Sequence, residues 1–164
     1  MKLKINPITT AFLAAIMLLS VSSCKVSTNS EDPTPAAGSE SASYKLGTLN
    51  VTVTDPYNGT SSHNGVISNQ VSLPAKDGSQ VKINFAGSAP GTYQLKSYSN
   101  AYYKSASAVQ YNSVRGELKV TSYTSQGIDR TFSGTFNFVA KSVTNPKDSV
   151  VITGGVISNC TNDF

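Results

Sequence analysis

Few side chains in this 164-residue chain have the chemistry of a nucleophile, a general base or a metal ligand. There are two cysteines, Cys24 and Cys160, and a single histidine, His63. A cysteine or serine nucleophile needs a basic partner, and His63 lies in a polar stretch, GTSSHNG, that predicts a solvated loop. Zinc-protease, Cys-x-x-Cys, P-loop and Gly-x-Ser-x-Gly motifs do not occur. We therefore expect no catalytic residue, no metal site and no cofactor.

Paired carboxylates are the remaining route to catalysis, because two of them suffice for glycoside hydrolysis. The candidates are Asp55, Asp77, Glu117, Asp129 and Asp148. The four aspartates lie in or beside turn signals, where the side chain of Asp commonly caps the turn. Glu117 lies on the polar side of a predicted strand, next to basic residues. A carboxylate-dependent hydrolase is therefore the least favoured of the functions considered.

The N-terminal segment has the pattern of an export signal. A basic start, MKLK, precedes an uncharged apolar run over residues 8–19, which is too short to span the roughly 30 Å hydrocarbon layer. The run is followed by Val21-Ser22-Ser23-Cys24, which resembles the lipobox of bacterial lipoproteins. The resemblance implies a signal peptide over residues 1–23 and a lipid attached to Cys24, whereas the alternative is a plain secreted protein. Acylation of Cys24 would exclude a disulfide between Cys24 and Cys160, and we expect Cys160 to be a half-buried structural residue.

The segment after Cys24 predicts a flexible linker over residues 24–43, followed by a single domain over residues 44–164. The linker sequence, KVSTNSEDPTPAAGSESAS, is too polar and too poor in apolar residues to form a packed core. Removal of the signal peptide, with Lys2 and Lys4, would lower the formal net charge from +4 to +2. The remaining basic residues form no cluster, so we expect no nucleic-acid partner.

The domain alternates polar and apolar residues, which predicts strands. In VKINFA the apolar residues are Val81, Ile83 and Phe85, and FSGTFNFVA places Phe132, Phe136 and Phe138 on one face. LNVTVT and GELKVTSY show the same alternation. Asp77-Gly78, between two such runs, predicts a tight hairpin. The expected fold is all-β, an antiparallel β-sandwich or a small β-barrel.

Tyrosine is the residue type that best suggests a binding surface. Six tyrosines occur within about thirty residues, among Ser, Asn and Gln: Tyr93, Tyr98, Tyr102, Tyr103, Tyr111 and Tyr123. Aromatic rings with a polar end suit contacts with sugars or proteins. We predict that the first five form a surface for a glycan or an envelope protein. The alternative is that these tyrosines simply occupy strand positions.

A family resemblance is carried by five segments in order: PGTYQL, AYY, RGELKVTSY, RTFSGTFNF and VVITGGVIS. They resemble a family of small lipoproteins of Bacteroidota built on a domain of unknown function, over about residues 65–158. Val156 stands where that pattern usually has an aromatic residue. The resemblance implies a sandwich-like or barrel-like domain and outer-membrane attachment, facing either the periplasm or the cell surface. It implies no activity and no catalytic residue.

These observations predict a lipid-anchored protein of the cell envelope, held in the membrane through Cys24, with a non-enzymatic role in binding or assembly. The alternative is a carrier that encloses a small glycan or apolar ligand in a β-barrel. Such a lumen would require inward positions that are not filled by the three phenylalanines of FSGTFNFVA.

Overall fold

The computed structural model describes residues 40–96 and 100–162, which form ten β-strands and no helix. The strands are β1 (Ser41–Leu46), β2 (Leu49–Thr52), β3 (Tyr57–His63), β4 (Val66–Pro74), β5 (Gln80–Ala86), β6 (Gly91–Gln94), β7 (Asn100–Lys104), β8 (Gln110–Gln126), β9 (Asp129–Ser142) and β10 (Ser149–Thr161). Every strand pairing is antiparallel. The prediction of an all-β antiparallel fold is confirmed. Since the described ranges hold no helix, they hold none that could cross a membrane.

The strands form one curled sheet, in the order β2-β1-β10-β9-β8-β7-β5-β4-β3, with β6 added beside β8. Val53, which follows β2 at one end of this order, bridges to Ala75, which follows β4 near the other end. There the backbone N–H of Thr54 donates to the carbonyl oxygen of Pro74 at 3.1 Å. The sheet therefore curls into a half-barrel whose concave side holds the core.

The core residues come from alternate positions of the strands, as the sequence predicts. Val81, Ile83 and Phe85 of β5 are buried, and so are the three phenylalanines of β9. Gly134 lies between two of these phenylalanines, and a Cβ atom there would lie 2.5 Å from the carbonyl oxygen of Lys119. The glycine thus allows β9 to approach β8 closely, next to an irregularity in their register.

The first strand begins at Ser41, whereas the predicted domain begins at residue 44. Ala42 and Tyr44 point into the core and are 5% and 2% exposed. Between them Ser43 pairs with Val156 of β10. The end of the predicted linker is therefore strand, because small residues such as Ala and Ser fit the inner and outer faces of β1 without an obvious apolar run.

The predicted hairpin at Asp77-Gly78 joins β4 to β5. Gly78 has a φ of +82°, which glycine adopts without strain. The carboxylate of Asp77 accepts hydrogen bonds from the hydroxyl of Ser79 at 2.7 Å and from its backbone N–H at 2.9 Å. These bonds lower the pKa of Asp77, since they favour the charged form.

Candidate functional site: a polar outer face

The structure describes four of the five predicted tyrosines and does not bring these four together on one surface. Tyr98, like Cys24, lies outside the described residues. The ring of Tyr93 packs 4.9 Å from that of Phe85, and its hydroxyl donates to the carbonyl oxygen of Ala89 at 2.7 Å. Tyr93 is therefore part of the packing of its own turn.

Two further tyrosines also point toward the core. Tyr103 is 5% exposed, and its ring lies 5.8 Å from that of Tyr111. The hydroxyl of Tyr111 donates to Asp148 at 2.8 Å, a bond that raises the pKa of Tyr111 because it favours the neutral form. Tyr102, next to Tyr103 along β7, points the opposite way and remains on the outer face. Of the predicted set, only Tyr102 is placed on the convex side of the described sheet.

Tyr102 lies on an outer face rich in amide and hydroxyl groups, formed by β3, β4, β5 and β7. We call it the amide face. Its central residues are Tyr57, Gly59, Gln70, Ser72, Lys82, Asn84, Asn100 and Tyr102. The register aligns them in two rows across the strands, Gly59–Gln70–Asn84–Asn100 and Tyr57–Ser72–Lys82–Tyr102.

The first row is joined by hydrogen bonds between side-chain amides. The Nε2 of Gln70 donates to the Oδ1 of Asn84 at 3.1 Å, and the Nδ2 of Asn84 donates to the Oδ1 of Asn100 at 2.8 Å. Each amide offers two donor hydrogens and two acceptor lone pairs. The row therefore fixes the orientation of its amides and leaves further donors and acceptors directed at solvent.

The second row carries an aromatic ring near each end. Tyr57 is 43% exposed. Its ring lies over Gly59, since a Cβ atom added to Gly59 would lie 3.3 Å from the hydroxyl oxygen of Tyr57. The ring of Tyr102 lies 6.0 Å from the Nζ of Lys82. Because three strand spacings separate the two tyrosines in the register, the row spans about 14 Å.

Two shallow depressions lie along the amide face. One, of about 320 Å³, is lined in part by Tyr57, Gln70 and Asn84. The other, of about 290 Å³, is lined in part by Asn100 and Tyr102. Asn84 lines the first depression and Asn100 the second, so the hydrogen bond between these two amides links the linings of both depressions.

The charge of the amide face restricts what it could bind. The strands β3, β4, β5 and β7, which the structure describes completely, contain no Asp or Glu. Lys82 and Lys104 are their only lysines. Amides that can donate and accept, beside exposed rings, complement a hydroxyl-rich ligand that is neutral or negatively charged.

Two of the carboxylates considered for hydrolysis, Glu117 and Asp129, do not form a pair. Glu117 lies in β8, opposite Asn137, while Asp129 begins β9 and pairs with Gln126, nine residues further along β8. At about 3.3 Å per residue the two positions are about 30 Å apart along the strand. Glycosidase carboxylates are within about 10 Å of each other. Elsewhere in the described ranges, no group of three His, Cys, Asp or Glu side chains could hold a metal ion.

The two other residues considered for chemistry are His63 and Cys160. The prediction of a loop around His63 is wrong, because residues 59–63 belong to β3 and pair with β4. His63 is exposed at the end of β3, beside the turn at Asn64 and Gly65. Cys160 is fully buried in the core. Neither lies in the amide face.

The architecture is that of an all-β domain formed by one curled antiparallel sheet, with a polar outer face. The chain belongs to the family defined by a domain of unknown function, DUF6252, whose model matches residues 55–161. The match covers β3 to β10 and excludes β1 and β2. No curated protein and no solved structure is significantly similar to the chain.

Proposed function

We propose that this protein is a lipid-anchored protein of the cell envelope that binds a glycan on the amide face. The anchor is supported by the signal pattern and by the sequence Val21-Ser22-Ser23-Cys24. It would place the protein in the outer membrane, with the domain on the periplasmic side or at the cell surface. Two or more acyl chains give stable attachment where one is marginal.

The observation that supports glycan binding is the row of hydrogen-bonded amides beside a second row that ends in Tyr57 and Tyr102. Sugars present hydroxyl groups around an apolar ring face. Amides of fixed orientation suit the hydroxyls, and the exposed ring of Tyr57 suits the apolar face. The same row is a poor match for a purely apolar ligand, which would leave its amides unpaired.

The packing inside the half-barrel favours a ligand site on the amide face over one enclosed in the interior. Phe132, Phe136 and Phe138 are 0%, 2% and 1% exposed and pack in one core cluster. Their side chains fill the concave side at the positions that a lumen would have to leave open. We therefore place the ligand on the outer face.

Ligand binding is tested by thermal unfolding of the full chain against soluble α-glucans, β-glucans and mannans, with fatty acids and divalent metals for comparison. A glycan at one hundred times its Kd should stabilise the protein by about 2.7 kcal/mol. Tyr57→Ala should weaken binding about tenfold, because the loss of a stacked ring costs about 1.4 kcal/mol. Asn84→Ala should weaken binding about three- to tenfold, because it removes hydrogen bonds worth about 1 kcal/mol.

Asn50→Ala is the matched control, since Asn50 is an exposed amide on β2, away from the amide face. It should bind the glycan as the native protein does. If all three variants bound equally well, the amide face would not be the site. A shift with fatty acids alone would replace the glycan proposal by a lipid carrier.

The anchor is tested separately with Cys24→Ala in cells given a labelled fatty acid. The variant should accumulate as an uncleaved precursor without label, because the sulfur that accepts the lipid is gone. Cys160→Ala, which removes the buried cysteine, should still be cleaved and labelled. A labelled, processed Cys24→Ala product would refute the anchor.

A further inference from the structure

A second polar site lies at the open side of the half-barrel, between β3 and the end of β10. We call it the seam. The strand β3 is last in the sheet order and pairs only with β4. Across from it, Arg130 of β9 donates from Nη1 to the hydroxyl of Thr60 at 2.8 Å. The side chain of Asn162 accepts from the backbone N–H of Arg130 and donates to the carbonyl oxygen of Ile128 at 2.9 Å.

The seam contains buried polar atoms without hydrogen-bond partners. Asn58 of β3 is fully buried, and neither its Nδ2 nor its Oδ1 has a partner among the described residues. The Nε of Arg130 is buried and unpartnered in the same way. Native proteins rarely leave such groups unpaired, because the cost of desolvation is not recovered. The seam therefore has donors and an acceptor that a bound molecule could satisfy.

The seam opens to the larger depression of the amide face. Asn58, Thr60 and Asn162 line the same 320 Å³ space as Tyr57 and Gln70. The strand that shields the buried atoms is an edge strand, which pairs with another strand on one side only. A small outward movement of β3 would connect the buried donors with a ligand lying in the depression.

The chemistry of the free groups points to an anion. The guanidinium of Arg130 is always charged, and no carboxylate of the described residues is hydrogen-bonded to it. Nη1 of the guanidinium already donates to Thr60, whereas the edge of the guanidinium that carries Nε has no partner. Such an edge binds carboxylate oxygens well. Asn58 adds an N–H donor beside a carbonyl that could accept from a hydroxyl. Carboxylate and hydroxyl groups occur together in acidic sugars.

We propose that the seam binds a carboxylate group through Arg130 and Asn58, and that this group is the acid of a sugar in the glycan on the amide face. The second half of this inference rests on the proposed function. The absence of Asp and Glu from the amide face and the presence of Lys82 and Lys104 fit an acidic glycan. Because the amide face has no carboxylates, it would not repel a negatively charged glycan.

The first test uses acetate as the probe and needs no variant. The chain contains two arginines, Arg115 and Arg130, so an NMR spectrum of arginine Nε–H groups has two side-chain signals. Acetate should shift the Arg130 signal to saturation, while the signal of exposed Arg115, assigned with Arg115→Lys, should not move. Chloride at equal ionic strength should have no such effect. Equal responses to both salts, or no response, would overturn the seam site, and a stronger response to sulfate would overturn its assignment to a carboxylate.

The second test compares an oligogalacturonate with its methyl ester, in which the carboxylates are blocked. The native protein should bind the free acid at least tenfold more tightly. Arg130→Gln should bind both equally, and Arg130→Lys, which keeps the charge but lacks Nε, should lose most of the difference. Arg115→Gln is the control and should keep it.

The outcomes separate the two proposals. Equal binding of acid and ester that Tyr57→Ala weakens, with no acetate response, overturns the seam inference and leaves the amide face as a glycan site. An acetate response without binding of either oligosaccharide supports the carboxylate site and overturns its link to a glycan. Binding to neither probe, with no acetate response, overturns the inference as a whole.

Discussion

Replacing Gly116 by alanine should destabilise the domain by about 3 kcal/mol or more, enough to remove a large part of the stability of a typical domain. Gly116 has a φ of +147°, a region that residues with a side chain rarely occupy. A Cβ atom there would lie 2.3 Å from the carbonyl oxygen of Asn137 and 2.4 Å from the Cβ of Phe138. Both atoms belong to the neighbouring strand β9, so no flexible side-chain end could move away. The free energy of unfolding in urea measures the effect.

Gly91→Ala is the matched control for this prediction. Gly91 begins β6, and a Cβ atom there would meet nothing within 4 Å. Its φ is not among the positive values of the described glycines. We expect a change within about 0.5 kcal/mol. Similar losses for Gly91→Ala and Gly116→Ala would show that the close approach of β8 and β9 is not the cause.

Phe138→Ala should cost about 3–5 kcal/mol, the range found when a buried phenylalanine is truncated. Phe138 is 1% exposed, and its ring stacks on that of Phe136 at 6.3 Å between centroids. Truncation would leave a cavity where β8, β9 and β10 meet, since Phe138 pairs with Gly116 and Ile152. Thermal and urea unfolding of the full chain would report the loss as a lower midpoint.

Val151→Ala provides the comparison for Phe138→Ala. Val151 is 46% exposed on β10, so its truncation opens no cavity in the core. We expect less than about 1 kcal/mol of destabilisation. If Phe138→Ala cost no more than Val151→Ala, the concave side would not be the tightly packed core described above.

The core of the fold could be predicted from the sequence because its signal is local. The alternation in β5 and β9 places Val81, Ile83 and Phe136 on the inner face without knowledge of any partner strand. The start of β1 could not be predicted in the same way. Its inner residues, Ala42 and Tyr44, stand among serines, and only their pairing with β10 identifies them as strand.

The candidate site could be predicted less well, because it depends on register between strands. Tyr102 and Tyr103 are adjacent in sequence, yet alternation along β7 sends one outward and the other into the core. The amides of Gln70, Asn84 and Asn100 lie in three different strands and meet only through their register. Neither the amide row nor the exposed ring of Tyr57 can be recognised from spacing within one segment. The buried, unpartnered polar atoms of Asn58 and Arg130 can likewise be recognised only once the fold is known.

The position of β1 has a consequence for the handling of this protein. Although it comes first in the described chain, β1 lies between β2 and β10, and it covers one side of the 13-residue strand β10. A fragment cut at residue 55, where the family match begins, would lack this cover and expose a long row of unpaired backbone N–H and C=O groups. Such a row recruits strands from other molecules and promotes aggregation. By pairing with β10, β1 therefore also protects the domain from self-association.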